Sequence, residues 1–194
     1  PNIMKFDLLA NSIKDINLKA GNAAKCAVNQ LMTLRNWAIG YYIVEYEQGG
    51  NDRAKYGAHL LKKLEKQISE KGMNSTLFKW CRQFYLMYPQ IGATVSHQFG
   101  LPDFEKSATV SHQFLTDPEL LINNLSFSHI REIMVINDEF ERFFYETECI
   151  KCNWSVRELR RQIKTNLYIR AGISKRPELL IRPSVENTGN RMLS

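Results

Sequence analysis

The chain has 194 residues, 44% of them hydrophobic, and a formal net charge of +6. That length carries one core, or one core with an appendage. It holds no run of about 18 apolar residues, so no membrane-spanning helix is expected, and the opening Pro1-Asn2-Ile3-Met4-Lys5 lacks the apolar stretch of a secretory signal. Cys26, Cys81, Cys149 and Cys152 are too few for a disulfide framework, and the expectation is a cytoplasmic protein with reduced thiols.

The pattern is helical almost throughout, so the expected fold class is all-α. A first helix is predicted over residues 23–48, with Cys26, Leu31, Leu34, Ile39, Tyr42 and Ile43 among its apolar positions and Gly49-Gly50 at its end. Residues 54–70 form a second helix, buried through Leu60, Leu61, Leu64 and Ile68. Lys71-Gly72 then breaks the chain before a third helix over 73–89, which Asn74 caps and Pro89 stops. Leu77, Phe78, Cys81, Phe84, Tyr85 and Tyr88 share one side of that helix. Ser75, Thr76, Lys79, Arg82 and Gln83 share the other, with Trp80 at the border. Two helices joined by a tight Gly-containing turn, the second displaying polar and basic residues, read as a helix-turn-helix unit. Residues 1–89 are therefore one organisational segment.

Residues 90–116 interrupt the pattern. Ala93-Thr94-Val95-Ser96-His97-Gln98-Phe99 recurs unchanged as Ala108-Thr109-Val110-Ser111-His112-Gln113-Phe114. Two copies are too few for a repeat fold, so the segment reads as a surface insertion carrying a local duplication.

Helices resume over 117–176. Asp117-Pro118 opens one, residues 126–136 and 138–151 supply two more, and Ser155 with Glu158 forms a capping box at the head of a last helix running to about Arg170. Val156, Leu159, Ile163 and Leu167 form a narrow stripe on it, resembling the seam of a helix pair. Residues 177–194 have two prolines and no periodicity, and read as a tail or linker.

Charge is segregated. Residues 53–82 carry eight cations against two acids, residues 151–176 eight against one, and residues 132–148 one against six. Two basic blocks of this kind suggest a one-sided electrostatic footprint, although long Lys and Arg side chains also solubilise amphipathic helices.

Other motifs carry less. Cys149-Ile150-Lys151-Cys152 has the spacing of half a zinc site but lacks a second half, so no metal site is expected. His97 and His112 lie beside Ser and Gln with no orienting acid, and read as surface residues. His129 is placed three residues after Ser126, where it fits a capping-box partner. Trp37, Trp80 and Trp154 read as packing residues, with Trp80 the one placed to meet a ligand. No phosphate loop, catalytic carboxylate pair or dinucleotide fingerprint occurs, and no cofactor or small-molecule substrate is expected.

Several longer motifs are similar to the N-terminal domain of the YhcG family. They are Ile39-Gly40 with Glu47-Gln48-Gly49-Gly50 and Tyr56-Gly57, Arg82-Gln83-Phe84-Tyr85 with Tyr88-Pro89, and Leu125-Ser126-Phe127-Ser128-His129. Glu141-Arg142-Phe143-Phe144-Tyr145-Glu146 and the run from Trp154 to Ile163 complete the set, and the likeness covers about residues 22–176. The resemblance implies a helical, winged-helix-like region that family members join to a C-terminal PD-(D/E)xK nuclease domain, often in restriction or mobile defence loci. Beyond Arg176 the only acids, Glu178 and Glu186, lack the nuclease context, so the expected role is the targeting half without catalysis. Duplex DNA is the expected partner, through Ser75, Thr76, Lys79, Arg82 and Gln83 and through Arg157, Arg160, Arg161 and Lys164. A homodimer paired through Val156, Leu159, Ile163 and Leu167 is expected with it. The competing reading is a protein–protein assembly module of a restriction- or defence-type complex, or a fragment of a longer nuclease.

Overall fold

A computed structural model describes residues 6–49, 57–101 and 115–176. The second copy of the heptapeptide repeat and the expected tail over 177–194 lie outside the described residues. Among those described the chain is helical and contains no strand, so the all-α expectation holds and no wing is seen.

The first helix, α1, is Phe6–Gly49 and 44 residues long. It starts well before the predicted position. A glycine in a helix interior costs only about 1 kcal/mol, and Gly21 interrupts nothing here. Only the second half of α1 enters the body, burying Thr33, Leu34, Asn36, Trp37, Ala38, Gly40, Ile43 and Val44. Helix α2, Gly57–Ile68, and α3, Ser75–Met87, follow it, separated by a turn with Ser69 at φ 51° and Gly72 at φ 87°. Asn74 caps α3 by accepting the Leu77 N–H at 2.8 Å. The Ser75 N–H donates to Glu65 Oε2 at 3.1 Å, which ties the turn back onto α2, and the Ser75 hydroxyl together with that N–H holds the Glu65 carboxyl below its usual range.

Helix α3 lies along α1 in the most extensive helix pairing of the fold. Gly40 makes this possible: a Cβ there would stand 2.6 Å from the Cys81 carbonyl carbon and 2.9 Å from Tyr85 Cβ. The Trp37 indole meets the Tyr85 ring edge-on at 5.0 Å and donates Nε1–H to the Tyr88 carbonyl at 2.8 Å.

A 3-10 turn over Pro89–Ile91 leads into α4, Gly92–Phe99. This corrects the expectation of a surface insertion starting at residue 90. The first copy of the repeat lies in a helix that buries Val95 and Ser96, just after the buried Ile91, and packs against α1, while His97 stays exposed. The reason is periodic: Ile91 and Val95 are four apart, one turn of a helix facing the core.

Four further helices are each opened by the cap that the sequence offers. They are α5 (Pro118–Asn124, capped by Asp117), α6 (Phe127–Ile133, Ser126), α7 (Glu139–Cys152, Asp138) and α8 (Val156–Lys164, Ser155). The Ser155 box is only half made: its hydroxyl accepts the Glu158 N–H, but Glu158 Oε1 turns forward to Arg161 and Gln162. Helix α8 also ends earlier than expected. Asn166 adopts φ 52°, a conformation that Asn tolerates, and a short α9, Leu167–Arg170, turns away from it.

One core runs through both halves of the chain, from Leu34, Trp37, Phe84 and Val95 to Leu121, Ile130, Tyr145, Leu159 and Tyr168. A smaller cluster of Ile43, Leu61 and Phe78 seats α2. The stripe proposed as a dimer seam belongs to the main core. Leu159 is 0% exposed, and Ile163 and Leu167 pack against the same cluster, with Val156 half-buried. Burying such side chains is worth about 1.5–3 kcal/mol each, and the chain's own helices already supply the cover.

Candidate nucleic-acid interface

The polar face of α3 divides in two. Thr76 and Lys79 point to solvent, and Lys79 makes no ion pair with the described residues. Ser75, Arg82 and Gln83 are half-buried and engaged. Ser75 closes the turn described above, Arg82 Nε bonds Glu47 Oε2 at 2.7 Å, and Gln83 Nε2 donates to the Met134 carbonyl at 3.1 Å. The two groups bind in different senses: Thr76 and Lys79 are open to a ligand, whereas the other three fix the helix to α1, α2 and the end of α6.

The second basic block lies on α8. Arg157 and Lys164 are exposed and have no ion-pair partner among the described residues. Arg160 reaches across to α6, giving Glu132 two hydrogen bonds of 3.1 and 2.6 Å, and these hold the Glu132 carboxyl below its usual range. Arg161 pairs with Glu158 at 2.7 Å.

Helix α6 joins the two blocks. Arg131 lies over the Trp80 ring of α3, 5.0 Å from its centroid, and the next residue, Glu132, receives Arg160 of α8. A band therefore runs from the exposed Lys79 and the half-buried Trp80 on α3, across the exposed Arg131 on α6, to Arg160 and its neighbours on α8. A guanidinium stacked on an indole is held in place by its face while its N–H edge stays free for an oxygen acceptor. Arg131 is the member that sequence reasoning missed. Its signals were a cation two residues after His129 and the border position of Trp80, which are legible only once α3 and α6 are neighbours.

His129 does not face this band as a reactive group. Its Nδ1 accepts from the Ser126 backbone N–H at 3.2 Å and lies 2.8 Å from the Ser126 hydroxyl, and its Nε2 donates to the Trp154 carbonyl at 2.9 Å. It is the capping-box partner that the spacing predicts. Burial pushes its pKa down, and the bond to Trp154 partly opposes this. Glu146 is likewise internal: it accepts from Tyr88 at 2.6 Å and from Thr116. Tyr145 donates to the Gln162 carbonyl and accepts the Tyr168 N–H, both at 3.3 Å. The motifs that carry the family resemblance thus hold helices together around the band. Cys149 is buried and Cys152 exposed, and the described residues gather no set of three or more His, Cys, Asp or Glu side chains suited to a metal ion. None of the described helices is long and apolar enough to cross a membrane.

Comparison with known proteins places the chain in a family. The chain belongs to the family described as the DUF1016 N-terminal domain, whose model matches residues 12–170. It is 35% identical over 156 residues to "Putative nuclease YhcG" of Escherichia coli (strain K12), an alignment covering 76% of this chain and 42% of that protein. The chain thus spans about two-fifths of the curated relative it matches. No solved structure matches it.

Proposed function

We propose that this chain is the duplex-DNA-binding module of a YhcG-like, nuclease-associated protein, and that it is non-catalytic by itself. The observation that carries the reading is the bridge across α6. Through Trp80, Arg131, Glu132 and Arg160 it sets two basic segments, far apart in sequence, on either side of one short helix. Cations gathered on one face raise local affinity for a polyanion, and Lys79, Arg157 and Lys164 are uncommitted to internal pairs among the described residues. Thr76 and Lys79 near the start of α3 are the candidates for base edges, with Arg131, Arg157 and Lys164 on phosphates. Ser75, Arg82 and Gln83 act behind them by holding α3 in place. The nuclease chemistry named in the relative is assigned to sequence outside this chain.

The test is binding of a fluorescent duplex at several salt concentrations. The logarithm of affinity should fall linearly with the logarithm of salt, and the three phosphate contacts would lose roughly fortyfold between 50 and 200 mM. No binding at low salt would overturn the reading. A second reading, an assembly module, is favoured by a separate observation: the first half of α1 exposes large apolar side chains that none of the described residues covers.

A further inference from the structure

The buried stripe of α1 does not stop where the body does. Leu34, Trp37, Tyr41 and Val44 face the core at alternating spacings of three and four, and the same alternation continues backward without a slip. Its positions there are Gln30, Ala27, Ala23, Ala20, Ile16, Ile13, Leu9 and Phe6. Gln30, bonded to Asn123 of α5 at 2.8 Å, marks the edge of the body. Beyond it no other described element covers the helix: Ile13 is 59% exposed, Ile16 67% and Phe6 80%. From Phe6 to Ala27 this is a seven-residue apolar repeat over about three heptads, the pattern of a left-handed helix pair. In isolation this segment, with Asn11, Asn17, Asn22, Gly21 and Asn29 in it, is poor helix.

We infer that residues 6–30 form an antiparallel two-helix coiled coil with the same segment of a second copy of this chain. The side-chain sizes choose both partner and direction. Large residues occupy the outer end of the seam and alanines the inner end, so a parallel pair would stack large on large and leave Ala20, Ala23 and Ala27 against themselves. Reversed and centred on residue 18, every layer joins a large side chain to a smaller one. Ile16 faces Ala20 of the second copy, Ile13 faces Ala23, Leu9 faces Ala27, and the Phe6 ring covers the stem of Gln30 where the second body begins. Such large-to-small facing is what fills a helix interface without voids. The flanking positions Ala10, Ser12, Asn17, Lys19, Ala24 and Cys26 carry one cation and no acid, so an identical chain meets little repulsion. Asn17 and Lys19 each meet their own copy near the centre, and each lysine is already paired with its own Asp15 at 2.8 Å. This pairing is independent of DNA binding.

Light scattering on the purified chain tests it. The wild type should be a dimer at micromolar concentration, and Ile13→Asp with Ile16→Asp a monomer whose near-ultraviolet dichroism, set by the buried Trp37 and Tyr85, is unchanged. A monomeric wild type overturns the inference, as does a double variant that stays dimeric. Direction is read by Ser12→Cys with a short bis-maleimide and peptide mapping. The antiparallel pair places position 12 beside Cys26 of the other copy, so 12-to-26 links are expected. Links of 12 to 12 and 26 to 26 would overturn the stated arrangement.

Discussion

The Tyr88 hydroxyl donates to a carboxylate oxygen of Glu146 at 2.6 Å, fastening the end of α3 to the middle of α7. Burial is the main influence on Glu146 and raises its pKa above the ordinary 4.5, while the bonds from Thr116 and Tyr88 and the charge of Arg142 pull the other way. An acid whose pKa is raised by folding contributes stability below its unfolded pKa and loses it as pH climbs through the folded value. Glu146→Gln removes that dependence. In thermal melts from pH 4 to 8, the melting temperature of the variant minus that of the wild type should increase with pH above 4.5. A difference that is flat or falls with pH contradicts the assignment.

His129 has the opposite sign. Its folded pKa lies below the ordinary 6.5, so its contribution is present above that pH and fades as pH falls through the lower folded value. His129→Ala frees the Trp154 carbonyl and the Ser126 N–H together, and should cost about 1–3 kcal/mol at neutral pH. Urea unfolding at pH 7.5 and pH 5 should show the gap between wild type and variant narrowing in acid.

Gly40→Ala tests the closeness of α1 and α3. The new methyl would press on the Cys81 carbonyl, which is helix backbone and cannot rotate away. Overpacking of this kind costs about 1–3 kcal/mol, and a backbone obstacle puts the expected loss at the upper end. Gly21→Ala, where a Cβ meets nothing within 4 Å, serves as control and should gain stability by about 1 kcal/mol or less.

The thiols should separate by reactivity. Burial pushes Cys81 up to about 12 and Cys149 up to about 11, while Cys26 and Cys152 are exposed. Since the thiolate is the reactive form, iodoacetamide at pH 8 should modify two cysteines in the native protein and four after denaturation. Rapid native labelling of Cys81 would place its helix face elsewhere.

Within the proposed DNA-binding band, Arg131→Ala, Arg157→Ala and Lys164→Ala should each reduce the salt slope by about one, as loss of a phosphate contact does. Arg82→Ala should instead lower thermal stability, since its guanidinium is taken by Glu47. An unchanged slope in all three band variants would remove the band as the contact surface.

Local signals in the sequence reached the structure intact. Asn74, Asp117, Ser126, Asp138 and Ser155 stand at the helix starts, because a cap depends on three or four neighbouring residues. His129 was legible for the same reason. The stripe through Leu159 was correctly read as apolar, but what covers a stripe is a tertiary fact, and the cover proved to be the same chain. The copy at residues 93–99 is helical where a surface insertion is expected, because Val95 follows Ile91 by one turn and the two share the core face, a spacing that begins before the repeat. On α3, polarity alone could not separate Lys79, which is open, from Arg82 and Gln83, which are engaged. That division depends on Glu47 and Met134, each distant in sequence.

The close approach at Gly40 also makes α1 a lever. Phe6 lies 34 residues from that crossing, about 51 Å along the helix at 1.5 Å per residue. A tilt of about 5° where α1 rests on Cys81 would swing the far end through roughly 4 Å, close to the width of a side chain. Without a side chain at Gly40 the fulcrum is backbone on backbone, so little soft material lies between the body and the aim of its long arm.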